Sequence, residues 1–486
     1  MPNSSVKREV AAGIDRIDID CTAVVAADAD SMTIEDTVKE HASTGRIEDE
    51  IVSAIYDHAD AIATDVVLRH TRNRVDWDDR IDSILTSKAF GYPVMLLVLA
   101  LVFWITISGA NYPSALLSKL LFGFEDRLTE LLLRLHSPEW LHGVLVLGMY
   151  RTLAWVVSVM LPPMAIFFPL FTFLEDLGYL PRVAFNLDHW FKRAGAHGKQ
   201  ALTMSMGFGC NAAGVIAARV IESPRERLIA ILTNSFVPCN GRFPALIALA
   251  ATFVGGMSAS LSNLIASATV VGLVIIGILV TLLISLALSK TILKGVPSAF
   301  TLELPPYRKP QLGRIIVRSL LDRTLFVLKR AVIVALPAGA VTWVVANTYI
   351  GGTSVLDIAS GWLDPIGRMI GLDGVILLAF ILGLPANEIV IPIALMSYLS
   401  TGMMIELDSA SAMHEVFVSK GWTLITALNF MLFSVLHFPC GTTLLTIKSE
   451  TGSFKWAAVT AGITTLTAFV VCWLVAQTAN LIGGLL

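Results

Sequence analysis

The sequence predicts an all-α polytopic membrane protein: two related helical modules with broken or re-entrant helices, preceded by a small cytosolic helical N-terminal segment. Three observations carry that expectation. Apolar residues make up 55% of the 486-residue chain and charged residues only 15%, with a mean hydropathy of +0.72, whereas soluble domains carry roughly 25% charged residues. Apolar runs near or above the roughly 18 residues needed to cross hydrocarbon recur along the chain. Two apolar regions are also punctuated alike. Gly207-Phe-Gly-Cys-Asn211 leads to Pro238-Cys239, and Gly383-Leu-Pro-Ala-Asn387-Glu388 leads to Pro439-Cys440. Unwound backbone is tolerated at membrane depth only where it lines a cavity, so a duplicated interruption points to an intramembrane site for a small ion.

Residues 1–45 mix Asp, Ala, Ser and Thr without sustained periodicity and read as a polar, partly disordered stretch. Residues 46–88 read as a cytosolic helical spacer and linker, because Ile47, Ile51, Ala54, Ile55, Ala61 and Ile62 recur largely at spacings of three and four. Trp77 in Asp76-Trp-Asp-Asp-Arg-Ile-Asp82 suits the headgroup level. No secretory signal is visible, since the first apolar run starts near residue 89. Arg69, Arg72, Arg74, Arg80 and Lys88 precede that run, which by the positive-inside rule leaves the N-terminus in the cytosol. The expected location is the cytoplasmic (inner) membrane, crossed many times.

Residues 89–140 comprise a first transmembrane helix, Phe90 to Ser108, and an amphipathic stretch, Pro113 to Arg134, expected to lie on the membrane surface. A first module covers residues 141–290, with spans around Leu141 to Met160, Thr203 to Val220, Leu228 to Phe253 and Leu264 to Leu288. Residues 291–324 form a connector whose Pro-rich core, Phe300 to Pro310, cannot continue a helix. The second module and C-terminal helices fill residues 325–486, with spans at Val327 to Tyr349, Val375 to Leu399, Trp422 to Leu436 and Trp456 to Ala479. The total is about eight to ten membrane-crossing or re-entrant helices.

A net charge of −3 gives no reason to expect nucleic-acid binding, which normally shows as a basic face. The five cysteines, at positions 21, 210, 239, 440 and 472, have no short-spaced pairs, which argues against a disulfide framework or a zinc knuckle. Cys21 and Cys472 read as small buried hydrophobes. Cys210, Cys239 and Cys440 differ, since each stands at an interruption of an apolar segment. A metal ion leaving water needs replacement ligands that bind without trapping it. Thiols, the Asn211 amide, the Glu388 carboxylate and freed carbonyls are all to hand. Sulfur ligands favour later, softer first-row ions over magnesium or calcium, which tilts the expectation toward ferrous iron or a close neighbour.

Glu388 follows a run without ionisable groups from Asp373 onward, and an ionisable residue within a span marks function by default. Its structural alternative is a partner for Arg219 or Arg242. Glu175 and Asp176 end a span, where they can gather cations at the mouth of a pathway or simply be solvated at the interface. His437 lies close to Cys440 and reads more readily as a histidine bonded to backbone than as a ligand. Gly198-Lys199 is a decoy for a phosphate-binding loop, because Arg193 and Gln200 stand where that motif needs Gly and Ser or Thr.

Leu174-Glu-Asp-Leu-Gly-Tyr-Leu-Pro-Arg182, His197-Gly-Lys199, Gly207-Phe-Gly-Cys-Asn211, Glu222-Ser-Pro-Arg-Glu-Arg-Leu228 and Cys239-Asn-Gly-Arg-Phe-Pro244 together resemble the membrane part of ferrous iron transport protein B. Glu303-Leu-Pro-Pro-Tyr-Arg308, Ala386-Asn-Glu388, Pro439-Cys440 and Glu450-Thr-Gly-Ser-Phe-Lys-Trp456 continue the resemblance, which covers roughly residues 75–486. That family carries an amino-terminal GTPase, a helical spacer and two Gate modules. The resemblance therefore implies an Fe2+ permease of a split system with a separate GTPase subunit, or a divergent paralogue. A small FeoA-like protein, the lipid bilayer and a homo-oligomer are the further partners it suggests. No cofactor is bound permanently, Fe2+ being cargo. Cys210, Cys239 and Cys440 match the family's Gate cysteines and Glu388 the Glu of its Ala-Lys-Glu motif, while Asn387 replaces the Lys and Asn240-Gly241 departs from the usual residues before Arg242.

Four other functions compete, one of them that of a non-transporting structural or sensory subunit. A transporter of Mn2+ or another divalent metal needs only a shift in selectivity. A nucleoside or other small-solute transporter built on Gate modules could use the amides of Asn211, Asn240 and Asn387, though it has no need of thiols at helix breaks. A membrane thiol enzyme would pair Cys440 with His437 and requires an orienting third group.

Overall fold

The structure is a computed structural model that describes residues 54–55, 57–59, 61–62, 77–87, 89–254, 262–294, 307, 310–405, 407 and 410–483. The expectations for residues 1–45, Cys21, Arg69, Arg72, Arg74, Lys88 and most of the Pro-rich connector lie outside these residues. The chain divides into two units, Met1–Arg72 and Asn73–Leu486. Of the first, the described residues are helical, as the spacing of its isoleucines requires.

The second unit is helical almost throughout, as the composition predicts. Among its described residues six helices are long and apolar enough to cross a membrane, and a seventh span arises if one sharply bent pair counts as one. It opens with α1 (Trp77–Leu85) and α2 (Gly91–Arg134). At about 1.5 Å per residue, α2 is roughly 66 Å long, about twice the hydrocarbon thickness. Here the structure departs from expectation. The amphipathic stretch after Pro113 is not a separate surface segment, because Pro113 lies inside the continuous α2. The later half is held by docking: Leu121 O accepts from the Tyr150 hydroxyl at 2.9 Å, and buried Glu125 faces Arg151 at 3.6 Å.

α3 (Glu139–His142) runs through a π-helical stretch, Gly143–Tyr150, into α4 (Arg151–Asp176), which contains Pro162, Pro163 and Pro169. Gly178, at φ 87°, makes the left-handed turn into α5 (Tyr179–Arg193), a conformation glycine adopts at little cost. α6 (Gln200–Gly209) and α7 (Asn211–Ala217) are separated by Cys210 in extended backbone. α8 (Pro224–Thr233) starts with Ser223 as N-cap and Pro at its first position, and α9 (Phe243–Leu249) and α10 (Ser262–Lys290) complete the first module.

α11 (Leu312–Arg318) passes through a π-helical segment, Ser319–Leu325, into α12 (Phe326–Asn347). Helix thus resumes at Leu312, two residues past Pro310, within the stretch read as the connector. α12 meets the π segment of the first module at paired glycines, where a Cβ on Gly148 would lie 2.9 Å from the Gly339 carbonyl oxygen. Such small-residue crossings replace hydrophobic driving force inside lipid with close packing.

After a hairpin, Tyr349–Ile350 against Thr353–Ser354, α13 (Val355–Met369) and α14 (Gly374–Leu382) meet at a 112° bend. The run expected at Val375 to Leu399 is broken: α14 stops, and a 3-10 turn, Asn387–Ile389, leads into α15 (Val390–Leu399). α16 (Ala410–Ser419), α17 (Leu424–Leu436), α18 (Gly441–Thr451) and α19 (Phe454–Gly483) finish the chain. The stretch from α17 into α18 is central, being 78% buried over its most apolar window against 22% for α19. α19 turns its small residues inward, with Ala457, Thr460, Thr464, Ala468 and Cys472 buried at spacings of three and four. Cys472 is wholly buried and donates to Asn429 O at 3.5 Å, a packing role.

One ion pair fastens the approach to the membrane. Arg182 is 2% exposed and donates from Nε and Nη2 to the two Asp82 carboxylate oxygens at 3.0 Å each, while its guanidinium lies 4.1 Å over the Tyr307 ring. The Tyr307 hydroxyl donates to Asp82 Oδ1 at 2.6 Å. The hydrogen bond from Arg182 holds the Asp82 carboxyl below its ordinary value, and desolvation foremost pushes the Tyr307 phenol up to about 12.

Candidate functional site

Four breaks in the helices meet at one place. Cys210 ends α6 and begins α7 with φ −155° and ψ 125°, and Ala386 stands before the Asn387–Ile389 turn with φ −154° and ψ 128°. The two interruptions that look alike in sequence therefore have the same backbone geometry. The other two breaks, at Val237–Arg242 and His437–Cys440, each carry Pro-Cys. Within each module the breaks are stitched together: Asn240 N donates to Gly209 O at 3.4 Å, and Gly441 N to Leu384 O at 2.6 Å.

Small residues make this convergence possible. The Asn234 side chain sits between Gly207 and Gly214, where added Cβ atoms would fall 2.8 Å from its Oδ1 and 2.5 Å from its Nδ2 respectively. Asn211, with its amide oriented by its neighbours, donates to Val237 O and Gly207 O at 3.1 Å each and so ties one break to the other.

A cavity of about 20 Å³ lies at the junction, room for about one water-sized body. Cys210, Asn211, Cys239, Glu388 and Cys440 all line it. The five residues singled out from the sequence thus come from both modules to one cavity. Cys210 is buried, and Cys239, Cys440 and Glu388 are half-buried. Asn387 Nδ2 reaches across the module boundary to Cys239 Sγ at 3.9 Å, and Cys440 Sγ lies 3.3 Å from Thr443 Oγ1. Cys210 and Cys440 are the N-cap residues of α7 and α18, so the partial positive ends of those helices lie beside the two sulfurs. Glu388 packs on bare backbone: a Cβ at Gly241 would come within 2.5 Å of its Cδ and closer still to Oε1. Among the described residues no three His, Cys, Asp or Glu side chains stand close enough together to hold a metal ion, so the donors ring the cavity rather than meet at a point.

Neither arginine is an ion-pair partner for Glu388. Arg219 forms a bidentate pair with Glu450 at 2.7 Å. Arg242 is wholly buried, and its guanidinium donates to Ser235 O (3.1 Å), Val435 O (2.7 Å) and Phe438 O (3.5 Å). Ser235 and Val435 lie at helical ends, which carry partial negative charge and lack intrahelical donors, and Phe438 lies in the break after α17. Nη1 and Nη2 of the buried cation are thereby paired, while Nε has no partner among the described residues, and the side chain clamps the first module to the second.

His437 is buried, with Nδ1 2.9 Å from Phe433 O and 3.0 Å from Ser434 O, which assigns the proton to Nδ1. Its ring packs on Phe380 and Phe433 and is absent from the cavity lining, so the Cys440–His437 nucleophile pair has no geometric support. Glu175 and Asp176 are exposed at the end of α4, roughly 16 Å along the helix from Met164 in the cavity wall. Asp176 Oδ2 accepts from Gln311 N at 3.3 Å.

The reading of the sequence missed Met160, Met164 and Thr442 in the lining. The signal for the methionines was their spacing of four residues around Pro162-Pro163, since four residues bring side chains to one helix face.

Two modules of broken helices, crossing at a cavity that thiols and a carboxylate help to line within an apolar bundle, define a polytopic membrane protein of the broken-helix, two-module class. The "Nucleoside recognition" (Gate) family model matches residues 157–253 and 328–454, and the "Ferrous iron transport protein B C terminus" model matches residues 270–322. The Fe(2+) transporter FeoB of Staphylococcus aureus (strain COL) is 28% identical over 92% of this chain and 66% of its own length. That of Methanocaldococcus jannaschii is 27% identical over 90% and 64%. A Porphyromonas gingivalis protein named as a fusion of Fe(2+) transport protein A and Fe(2+) transporter FeoB is 27% identical over 82% of this chain and 51% of its own. No solved structure matches. Over these stretches the chain is similar to the membrane region of Fe(2+) transporters, and it spans about two thirds of the length of the S. aureus and M. jannaschii relatives.

Proposed function

We propose that this chain carries Fe2+ across the cytoplasmic membrane, with Cys210, Cys239, Cys440 and Glu388 as successive ligands and Asn211 as the residue that holds their backbone in place. The observation that carries the reading is the gathering of three thiols and one carboxylate, from both modules, around one cavity in the apolar bundle. A transported ion must be bound yet released, and donors spread around a cavity satisfy that better than a closed tetrahedral cage. The relatives named Fe(2+) transporters support the choice of cargo. Glu175 and Asp176 then serve to concentrate cations at the mouth, and the N-terminus lies in the cytosol.

The chain acts as a permease rather than an enzyme, and its opening is controlled by a separate GTPase that docks on residues 40–85. The name of the P. gingivalis fusion suggests a small FeoA-like protein as a second partner. Uptake of radiolabelled Fe2+ into proteoliposomes tests the core of this reading. Cys239→Ser, close to isosteric, should lower initial uptake by at least about tenfold while the purified protein stays monodisperse. Competition by unlabelled Fe2+ but not by nucleosides is expected. Inhibition by nucleosides, or full uptake by the triple Cys→Ser variant, would overturn the iron route. Full transport without any co-purifying GTPase would remove the proposed regulator alone.

A further inference from the structure

We infer that Met160 and Met164 are specificity-determining residues of this cavity, their thioethers adding a second, neutral class of sulfur ligand to the three thiols. The inference rests on the metal-transport reading above and deepens it. Both methionines line the cavity, on a face of α4 set by their four-residue spacing. Met164 is 3% exposed and shares a buried cluster with Cys210, against which Met160 also packs. Met164 is therefore not available to lipid as mere surface cover, and Met160 is half-buried. In an ordinary apolar wall, leucine would fill the same volume.

The chemistry distinguishes a ligand from a filler. Thioethers are soft, polarisable donors without charge, and they favour softer transition ions over Mn2+ and Mg2+. A neutral sulfur also adds coordination without deepening the electrostatic well that an ion must leave, which suits a site of passage. Cys239, Cys440 and Glu388 come from elements other than α4, so the methionines add donors from a further element of the lining.

The test uses the full chain and a Met160→Leu/Met164→Leu variant, a near volume-conserving change that ordinarily costs under about 1.5 kcal/mol. The first readout is titration of purified protein with Cd2+ as a soft probe, and the second is the ratio of Fe2+ to Mn2+ uptake in proteoliposomes. Removal of the thioethers should weaken Cd2+ binding by about tenfold and lower Fe2+ uptake more than Mn2+ uptake. Cd2+ binding equal to wild type, or Fe2+ and Mn2+ uptake falling in equal proportion, overturns the inference. If the double variant does not purify as a monodisperse species, Met160→Leu and Met164→Leu singly carry the same two readouts. Wild-type protein that accumulates no Fe2+ refutes the transport reading, and the Cd2+ titration then still decides whether the thioethers are ligands.

Discussion

Gly241→Ala probes the one place where the candidate carboxylate ligand rests on naked backbone. The added Cβ would stand 2.5 Å from Glu388 Cδ and closer to Oε1, while ordinary contact begins at 3.4 Å, so the carboxylate must withdraw by at least about 1 Å. Metal ligands have to sit within about 0.2 Å of their proper distance, so a retreat of that size removes Glu388 from any shell it helps to form. Loss of a well-placed donor or its support ordinarily costs about 10–100-fold in metal affinity, and the KM for Fe2+ uptake should rise by at least about tenfold. Overpacking itself is expected to destabilise by about 1–3 kcal/mol. Uptake is to be measured in proteoliposomes across an Fe2+ concentration series, beside thermal unfolding in detergent. Gly241→Ala/Glu388→Asp separates the two effects: the shorter side chain should restore stability without restoring KM. A Gly241→Ala variant with wild-type KM and unchanged stability would refute the argument, because the Glu388 carboxylate would then not be held where the structure places it.

The inter-module clamp yields a stability prediction of a different kind. Lysine at position 242 would carry its three donors on one nitrogen, without the planar fork that reaches carbonyls at two separate breaks from two nitrogens, and hydrogen bonds from a charged donor are worth about 1.5–3 kcal/mol each. Arg242→Lys should therefore destabilise by roughly 3 kcal/mol or more, read by denaturant unfolding in detergent, and a loss below about 1 kcal/mol would show that the clamp carries little. The Asp82–Arg182–Tyr307 contact gives a pH dependence on both sides. Asp82, held below its ordinary carboxylate value of about 3.9, contributes stability that is full above that value and lost as pH falls through its lowered value in the folded protein. Tyr307, pushed up to about 12, contributes stability that is full below its unfolded value of about 10 and lost as pH rises through its folded one. Thermal unfolding between pH 6 and 3, and again above pH 10, should show both losses, and Asp82→Asn should flatten the acid limb. Identical acid limbs in the two proteins would contradict the assignment.

Much of the architecture follows from local physics that needs no partner. A chain whose apolar runs exceed the bilayer thickness must cross it as helix, because no other open structure satisfies its backbone in lipid. Gly, Pro and Asn at the interruptions weaken helix locally, so Cys210, Cys239, Cys440 and Glu388 were expected at breaks from their neighbours, although Pro113, Pro162, Pro163 and Pro169 stand inside continuous helices. The likeness of the two interruptions announced a repeated module, and the matching dihedral angles at Cys210 and Ala386 follow from it. Boundaries were less legible. Pro113 was expected to separate two segments, but inside a long helix the docking of Leu121 and Glu125 on the start of α4 outweighs one missing hydrogen bond.

What the tertiary structure alone decided is which side chains share a space. Met160 and Met164 precede Cys440 by nearly 300 residues, and no pattern in α4 states which way its apolar face turns. Glu388 had two arginines as plausible partners in the sequence, and only the fold shows Arg219 paired with Glu450 and Arg242 clamped to helix ends, leaving the carboxylate on Gly241. The physical reason is common to both cases. Helix-breaking is a property of a few adjacent residues and can be read along the chain, whereas the wall of a cavity is set by long-range packing between segments whose relative rotation no local preference encodes.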